Sequence, residues 1–471
     1  MLSIPIDWLF IWFAITSWIY PFVFYCLIGL IIYSIHKLKS KIQQNSNLKD
    51  KVPIYISVMI PCRNEERVIE NTLKQIKTLE YDHKKIEVIV IDDGSTDNTS
   101  QVVSNFIENN IGYNITFILY KIPNIISGLG KGKALDRCFK DYLIENSIFA
   151  SKQNHIIGVV DADGHVQKNV LSQVANEFQN CKLGGVNSSI LIRNKEDNFL
   201  TRMQDIEFRI GARYFNFLRG YSYKNAFMGG NGQFIRKEVL IQINDKHNYV
   251  WNAESLTEDL DVGLEMIKYG WEAKQLVNSY VSQQGLSDFK LLYKQRIRWS
   301  WGVWQTTLSQ ILSLKVFYDS QASIISRFDV FMLLMNNVWY VLLLPLTLIL
   351  TFLYVGEVIK LEFYFESWIL WVNATLWTVF ILIGLLTVKD FRNWRIFVDF
   401  VVYILYTIIM MTTLFVGFYN VLINKEARWV KTQRKIENRG DNSNDTTEPN
   451  EEFKSSEEKE VIGMNTILFN V

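Results

Sequence analysis

Four long apolar runs frame this chain, at about residues 7–35, 330–355, 368–388 and 397–423. Each reaches the roughly 20 residues that a bilayer-spanning helix needs. The pattern between the first and second is different. Short apolar stretches at Ile54–Ile60, Glu87–Ile91, Ile115–Tyr120 and His155–Val160 read as strands. Helical segments separate them, at Glu65–Leu79, from about Asp97 after a Ser95/Thr96 cap, and at Lys131–Glu145. Strand–helix alternation predicts an α/β domain with a doubly wound, mostly parallel sheet. Residues 299–328 mix Trp, Leu and Val with Lys, Arg and Ser, the pattern of an amphipathic helix lying on a membrane surface.

These patterns divide the chain. Residues 1–42 form an N-terminal span with a basic flank, and 43–298 the α/β domain. Residues 299–328 are interfacial and 329–424 hold the C-terminal spans. Residues 425–471 are a basic flank and a polar, acidic, disordered tail. The first run is too long for a signal-peptide core and no small-residue cleavage site follows. His36, Lys37, Lys39 and Lys41 after it place the α/β domain on the cytoplasmic side. Three later spans would then put the C-terminus outside, yet Lys425, Arg428, Lys431, Arg434 and Lys435 favour the inside. Pattern and charge disagree by one crossing. Either one stretch does not cross or the interfacial region adds a crossing.

Composition narrows the class. Hydrophobic residues make up 49% of 471, with 14 Trp and 30 Phe, while the mean hydropathy is only +0.06. A soluble domain plus a few spans fits both. The net charge of +1 gives no field for nucleic acid, and no nucleic-acid-binding motif is present. Cys26, Cys62, Cys138 and Cys181 show no metal-site spacing and read as reduced thiols.

The candidate chemistry lies where ligands meet such sheets, beyond the carboxyl ends of strands. Arg63-Asn64-Glu65 follows the first strand and suits a base or ribose, although capping explains Asn64 and Glu65 equally well. Asp92-Asp93 ends the second strand, where two adjacent acids are costly unless they bind something. Asp161-Ala162-Asp163 ends another, and its alternate carboxylates suit a hard divalent ion on a diphosphate. Lys131 and Lys133 could hold phosphate, or simply begin a solvated helix. Gly229-Gly230-Asn231-Gly232 allows close backbone approach to a ligand. In Thr257-Glu258-Asp259, at a helix start capped by Thr257, a carboxylate can serve as general base. In Gln295-Arg296-Ile297-Arg298-Trp299, Arg suits phosphate and Trp a sugar face.

This set, in this order, resembles the membrane-embedded, processive family 2 glycosyltransferases, which include cellulose, hyaluronan, chitin and poly-N-acetylglucosamine synthases. The resemblance covers about Ile54–Trp304 and extends loosely to the spans. It implies a GT-A fold, a UDP-sugar donor, Mg2+ or Mn2+, and single-displacement inversion to a β-linkage. On it, Arg63, Asn64, Glu65, Asp92, Asp93, Lys133, Asp161, Gln295 and Arg298 bind the donor. Asp161 and Asp163 hold the metal, and Asp259 with Glu258 is catalytic. Trp299, Gly230, Asn231 and Thr257 meet the acceptor. Thr257-Glu258-Asp259 with Gln295-Arg296-x-Arg298-Trp299 is closer to the cellulose-synthase pattern, so glucose is favoured and N-acetylglucosamine second. The Gly229–Gly232 loop matches neither the cellulose nor the hyaluronan acceptor motif. The implied protein is a multi-pass enzyme of the plasma membrane, its catalytic domain cytosolic. It polymerises a UDP-hexose into a capsular or exopolysaccharide and passes the growing chain through its own spans. The alternative is transfer of one sugar to a membrane lipid. An inactive scaffold role is disfavoured because every expected carboxylate is present, and accessory subunits are left open.

Overall fold

The computed structural model describes residues 2–5, 51–312, 320–355, 359–362, 385, 395–423 and 425. The expected spans at 7–35 and 368–388 (Leu385 aside), and the tail, lie outside these residues. The α/β region begins with β1 (Tyr55–Cys62), α1 (Ile69–Ile76), β2 (Ile86–Asp92), α2 (Thr99–Glu108), β3 (Thr116–Lys121), α3 (Lys131–Cys138) and β4 (His155–Val159). There follow β5 (His165–Val166), α4 (Val170–Glu177), β6 (Leu183–Ile192), α5 (Phe199–Ile210), α6 (Phe217–Ser222) and β7 (Gln233–Arg236). The region closes with α7 (Lys237–His247), α8 (Glu258–Lys268), β8 (Glu272–Gln283) and α9 (Phe289–Leu312).

The strands form one eight-stranded sheet in the order β3-β2-β1-β4-β7-β6-β8-β5. Its first half is parallel, as the alternation predicts: β1 pairs with β2 and β4, and β2 with β3. The second half corrects the expectation of a mostly parallel sheet. β7 runs antiparallel to both β4 and β6, and β5 antiparallel to β8; only β6 and β8 are parallel there. Alternation along the strands builds two cores. Val58, Ile60, Val88 and Val90 face α1, α2 and α4, whereas Met59, Ile89, Ile91, Ile157 and Val159 face α3, α7 and α8. The helix expected over Glu65–Leu79 is shorter, because Asn64 adopts a φ of 56° and its side chain holds the neighbouring loop. A π turn at Phe139–Leu143 ends the helix that begins at Lys131.

α9 runs unbroken through residues 298–299, where the sequence suggests a boundary between domain and interfacial segment. After it come α10 (Ile324–Val355), with Pro345 inside, and α11 (Arg395–Leu422). A small parallel ladder joins Leu2–Pro5 to Ile359–Glu362. Among the described residues one helix, Phe397–Leu422, has the length and composition to cross a bilayer. That helix is inverted relative to a soluble one. Phe397, Val401, Leu405, Ile408, Tyr419 and Leu422 are exposed. Asp399, Tyr406, Thr413 and Asn420, each seven residues from the next, are buried. A spacing of seven returns to one helix face, so the polar stripe points into the protein and the apolar face outward, as in a helix solvated by lipid.

Asp399, Tyr406 and Thr413 of the stripe each meet a partner. Arg202 of α5 forks onto Asp399 at 2.9–3.1 Å. Tyr406 donates to Glu207 of α5 at 2.7 Å, and Thr413 shares a 3.0 Å bond with Ser300 of α9. Trp304 Nε1 donates to the Leu414 carbonyl at 3.0 Å. A Cβ on Gly417 would lie 2.8 Å from the backbone of Ser300 and Trp301, so α9 and α11 touch backbone to backbone there. Gly417→Val is expected to cost about 1–3 kcal/mol through overpacking, read as a lowered unfolding midpoint of the purified protein. Ile408→Ala, on the outward face, changes it by no more than about 0.5 kcal/mol.

Candidate active site

The parallel register brings the ends of β1 and β2 level, with Cys62 opposite Asp92, and β4 beside β1. The loops leaving these strands therefore open on one edge. Arg63, Asn64 and Glu65 leave β1 and bind the loop after β2: Asn64 Oδ1 accepts from Thr96 N at 2.7 Å, and Glu65 N donates to Thr99 Oγ1 at 2.7 Å. Asp92 has both oxygens engaged, Oδ1 by Ser95 N at 2.8 Å and Oδ2 by the Ser100 hydroxyl. It shapes the loop from within. Asp93 reaches further, accepting from Gly128 N at 2.7 Å. Burial pushes its carboxyl above the usual range, against the pull of the Gly128 and Gly130 amides and of Arg63. Gly128, at φ +76°, has the Arg63 guanidinium where a Cβ would stand, 2.4 Å away. Arg63, Asp93 and the Gly128–Gly130 turn thus make one polar corner.

A second cluster lies around Asp161. Lys131, the first residue of α3, places Nζ 2.5 Å from Asp161 Oδ1 and also donates to the Gly230 carbonyl. Lys133, two positions on, is directed to a different side of the helix; of the two lysines, Lys131 is the one in the cluster. Glu258 and Asp259 begin α8, where the free amides and helix dipole favour acids. Asp259 Oδ1 accepts from Leu260 N at 2.9 Å. Its Oδ2 faces Gly230, 3.2 Å from where a Cβ would stand there, and Lys131 Nζ is 3.3 Å from the same point. Glu258 is buried against Gly132, whose missing Cβ would lie 3.3 Å from its side chain. Asp259, half-buried, is the carboxylate that looks onto the glycine loop.

Charge in this space is finely balanced. Burial pushes both Glu258 and Asp259 above the usual carboxylate range, while Lys131 and Arg298 pull them down. Asp259 adds to the rise at Glu258. Burial pulls Lys131 down, but Asp161, Glu258 and Asp259 together outweigh it and its pKa rises. Arg298, on α9, anchors Nη1 on the Leu256 carbonyl at 3.2 Å. Lys131, Asp161, Glu258, Asp259 and Arg298 therefore form one electrostatic unit.

Other expected site residues have different partners. Asn231 spends its amide on Asp161 N at 3.1 Å and Gln283 Oε1 at 3.0 Å, which fixes the loop rather than presenting a free group. Thr257 stands at the N-cap position but makes no capping bond, and its methyl and hydroxyl pack on Gly302 of α9. Trp299 stacks over Arg296, and Gln295 is half-buried on the same helix. Sequence reasoning missed a chain of buried amides behind the glycine loop. Asn216 and Asn187 both donate to Gln275 Oε1, at 2.6 and 3.0 Å, and Asn187 Oδ1 receives Gly229 N. Scattered over three elements, these residues leave no local signal.

Asp163 is 3% exposed, accepts from Gln284 N at 3.4 Å, and has its carbonyl held by Arg193 at 3.2 Å. Among the described residues no three His, Cys, Asp or Glu side chains gather closely enough to hold an ion alone. Asp161 and Asp163 offer one or two hard oxygens. That donor set fits Mg2+ or Mn2+ when phosphates and water complete the shell.

The chain is similar to known proteins over this region. The family model described as glycosyltransferase like family 2 matches residues 53–302. A beta-monoglucosyldiacylglycerol synthase of Synechocystis sp. is 29% identical over 253 residues, 54% of this chain and 48% of that protein. Probable glycosyltransferase YdaM of Bacillus subtilis is 28% identical over 394 residues, 80% of this chain and 86% of YdaM. A poly-beta-1,6-N-acetyl-D-glucosamine synthase of Staphylococcus epidermidis is 27% identical over 284 residues, covering 58% and 62%. The chain spans about half the length of the first of these relatives.

Two predictions follow from the geometry. Gly230→Ala sets a methyl against Asp259 and Lys131 and should cut the rate of sugar transfer about 100-fold, as small misplacements at a reacting centre do. Gly229→Ala meets only the Asn187 amide at 3.7 Å and should stay within about twofold of the parent. With Asp259 as the base, the pH profile of kcat/KM should show an acid limb above the ordinary Asp value of about 3.9, because the base must be ionised and burial holds it protonated to higher pH. Lys131 favours the ionised Asp259, so Lys131→Met should move that limb to still higher pH.

Proposed function

The chain belongs to the glycosyltransferase-like family 2, and from that premise we propose an inverting β-glycosyltransferase that takes a UDP-hexose, glucose by preference, and works at a membrane surface. The observation that carries the reading is the placement of Asp259, which faces the glycine loop beside Lys131 and Asp161. In this GT-A domain Asp259 accepts the proton of an acceptor hydroxyl as its oxygen attacks C1 of the donor sugar. UDP departs from the opposite face, so an α-linked donor gives a β-linked product. Glu258, buried beneath, acts through its charge rather than by touching substrate. Asp161 and Asp163 would hold Mg2+ or Mn2+, which supplies charge neutralisation on the departing diphosphate. Lys131 and Arg298 add fixed positive charge to the same region. The Arg63–Asp93 corner receives the nucleoside end, and Trp299 is the flat face for the acceptor ring.

Polymer synthesis is the first reading of the acceptor. α9, which bears Trp299, is packed along α11, so a chain growing from this platform emerges beside the apolar helices. Transfer of a single sugar to a lipid is the second, favoured by the Synechocystis relative, whose name gives such a product. The expected multi-pass architecture, with segments 43–298, 299–328 and 329–424 as its parts, belongs to the same proposal.

Asp259→Asn should abolish transfer, by about 1000-fold or more, while calorimetry still shows UDP binding; loss of both together would remove Asp259 from the role of base. Incubation of membranes with UDP-glucose and Mg2+ or Mn2+, followed by sizing of the product, separates the acceptor readings. High-molecular-weight glucan supports the first, and glucosyl lipid the second.

A further inference from the structure

Two arginines stand two positions apart on α9, and they point to different sides. Arg298 faces the acidic cluster. Arg296 is buried on the other side, its side chain 6% exposed. The Arg296 guanidinium lies 4.1 Å from the centre of the Trp299 ring and 5.7 Å from that of Phe208. Those two rings meet edge to face at 6.3 Å. A cation against aromatic faces is attracted by the ring quadrupoles, most strongly when water is excluded. Arg296 Nη2 donates to Glu207 Oε2 at 2.8 Å, whereas Nε and Nη1 are buried without a hydrogen-bond partner. Buried donors left unmatched are costly, so the rings and this one carboxylate hold the guanidinium in place. Glu207 Oε2 also accepts from the Tyr406 hydroxyl at 2.7 Å, and Tyr406 belongs to the inward polar stripe of α11.

We infer that Arg296 is a positioning residue that fixes the Trp299 ring and, through Glu207 and Tyr406, ties its pose to the apolar helix α11. The functional consequence rests on the reading of Trp299 as the acceptor platform. Arg298 serves the donor side and Arg296 the acceptor side of one five-residue motif. The link acts on the Trp299 ring and so on acceptor binding, whereas Arg298 keeps its own anchor on the Leu256 carbonyl beside the donor-side charges.

The test uses the full chain in lipid nanodiscs with 5-fluorotryptophan incorporated. Loss of one 19F resonance in Trp299→Phe assigns that ring; Trp251, buried against Phe139, is assigned likewise as a control. Glu207→Gln and Arg296→Lys are expected to move the Trp299 resonance and leave that of Trp251. Tyr406→Phe, the mildest change, moves it less. With UDP-glucose as donor, and cellobiose or dioleoylglycerol as acceptor probe, the acceptor concentration for half-maximal rate should rise about tenfold in Glu207→Gln and Arg296→Lys. UDP release without acceptor should stay within about twofold of the parent. An unmoved Trp299 resonance in all three variants overturns the inference. So does a Trp251 resonance that moves in step, or a parallel fall in donor and acceptor activities, since each marks general loosening. If the parent glucosylates neither probe, the acceptor reading fails and the resonances alone decide the coupling.

Discussion

The constraint on which this molecule turns is the cost of holding Asp161, Glu258 and Asp259 together away from bulk water. Each of the last two is pushed toward its neutral form by burial, and like charges make the effect worse. Two cations, Lys131 and Arg298, oppose this from outside the acidic set. They come from distant parts of the chain: Lys131 starts α3, and Arg298 sits in the first half of α9. The sheet must therefore bring α3 and α8 to one edge, and α9 must lie across it. Thr306 of α9 helps to hold this arrangement by donating to Asp261, two positions after Asp259, at 2.6 Å. The result is a carboxylate at Asp259 that burial pushes toward its neutral form and two cations pull back toward its ionised one.

How α9 is held there brings in the helices beyond it. Two arginines bind the domain to them, Arg202 to Asp399 and Arg219 to Asp329, while Arg296 ties α9 itself to Glu207 of α5. The second is nearly dry, with side chains 5% and 1% exposed, and Asn225 completes it at 3.0 Å. A buried pair of this kind contributes little net stability against an apolar alternative, yet breaking one side costs about 3–5 kcal/mol. Such contacts define geometry more than they add stability. They select one seating of α10 and α11 against the domain, where apolar contacts alone would tolerate sliding.

The parallel half of the fold was legible because each strand is a compact apolar run that ends in chemistry: Cys62 before Arg63, Ile91 before Asp92, Val160 before Asp161. The second half was not. β7 is four residues long and β5 two, too short to show a period. Their pairing is set by partners distant in sequence, such as Val186 against Phe234. At the site, residue type and position beyond a strand end or at a helix start singled out Asp259, Asp161 and Asp163 as candidates, and the structure sets Asp161 and Asp259 around Lys131. Sequence could not say that Asp92 turns inward to Ser95 and Ser100, or that Asn231 is consumed by Asp161 N and Gln283. Both roles depend on which backbone amide the fold brings near. The choice between Lys131 and Lys133 was a matter of helix phase, and a start only at Lys131 settles it. The boundary expected at residue 299 dissolves for a similar reason. A change from polar to Trp-rich composition marks a change of surroundings, and α9 passes from one to the other without a break.

The inverted pattern of α11 carries the last step. A helix with an apolar exterior could in principle drift along the domain, because lipid tails and Leu side chains are equivalent surroundings. Asp399, Tyr406 and Thr413 remove that freedom, since each would lose its partner on the domain if the register slipped. Gly417 then lets α9 approach to backbone contact at the level of Ser300 and Trp301. The Trp299 ring is thus within one residue of the closest α9–α11 crossing. On the proposed reading of Trp299 as the acceptor platform, an acceptor resting on it would approach or leave along the flank of an apolar helix, whether it is a lipid entering from the side or a sugar chain departing along the axis. On this view the donor site asks only for a fixed set of charges, and the identity of the acceptor is decided by how much space α9 and α11 leave beside Trp299.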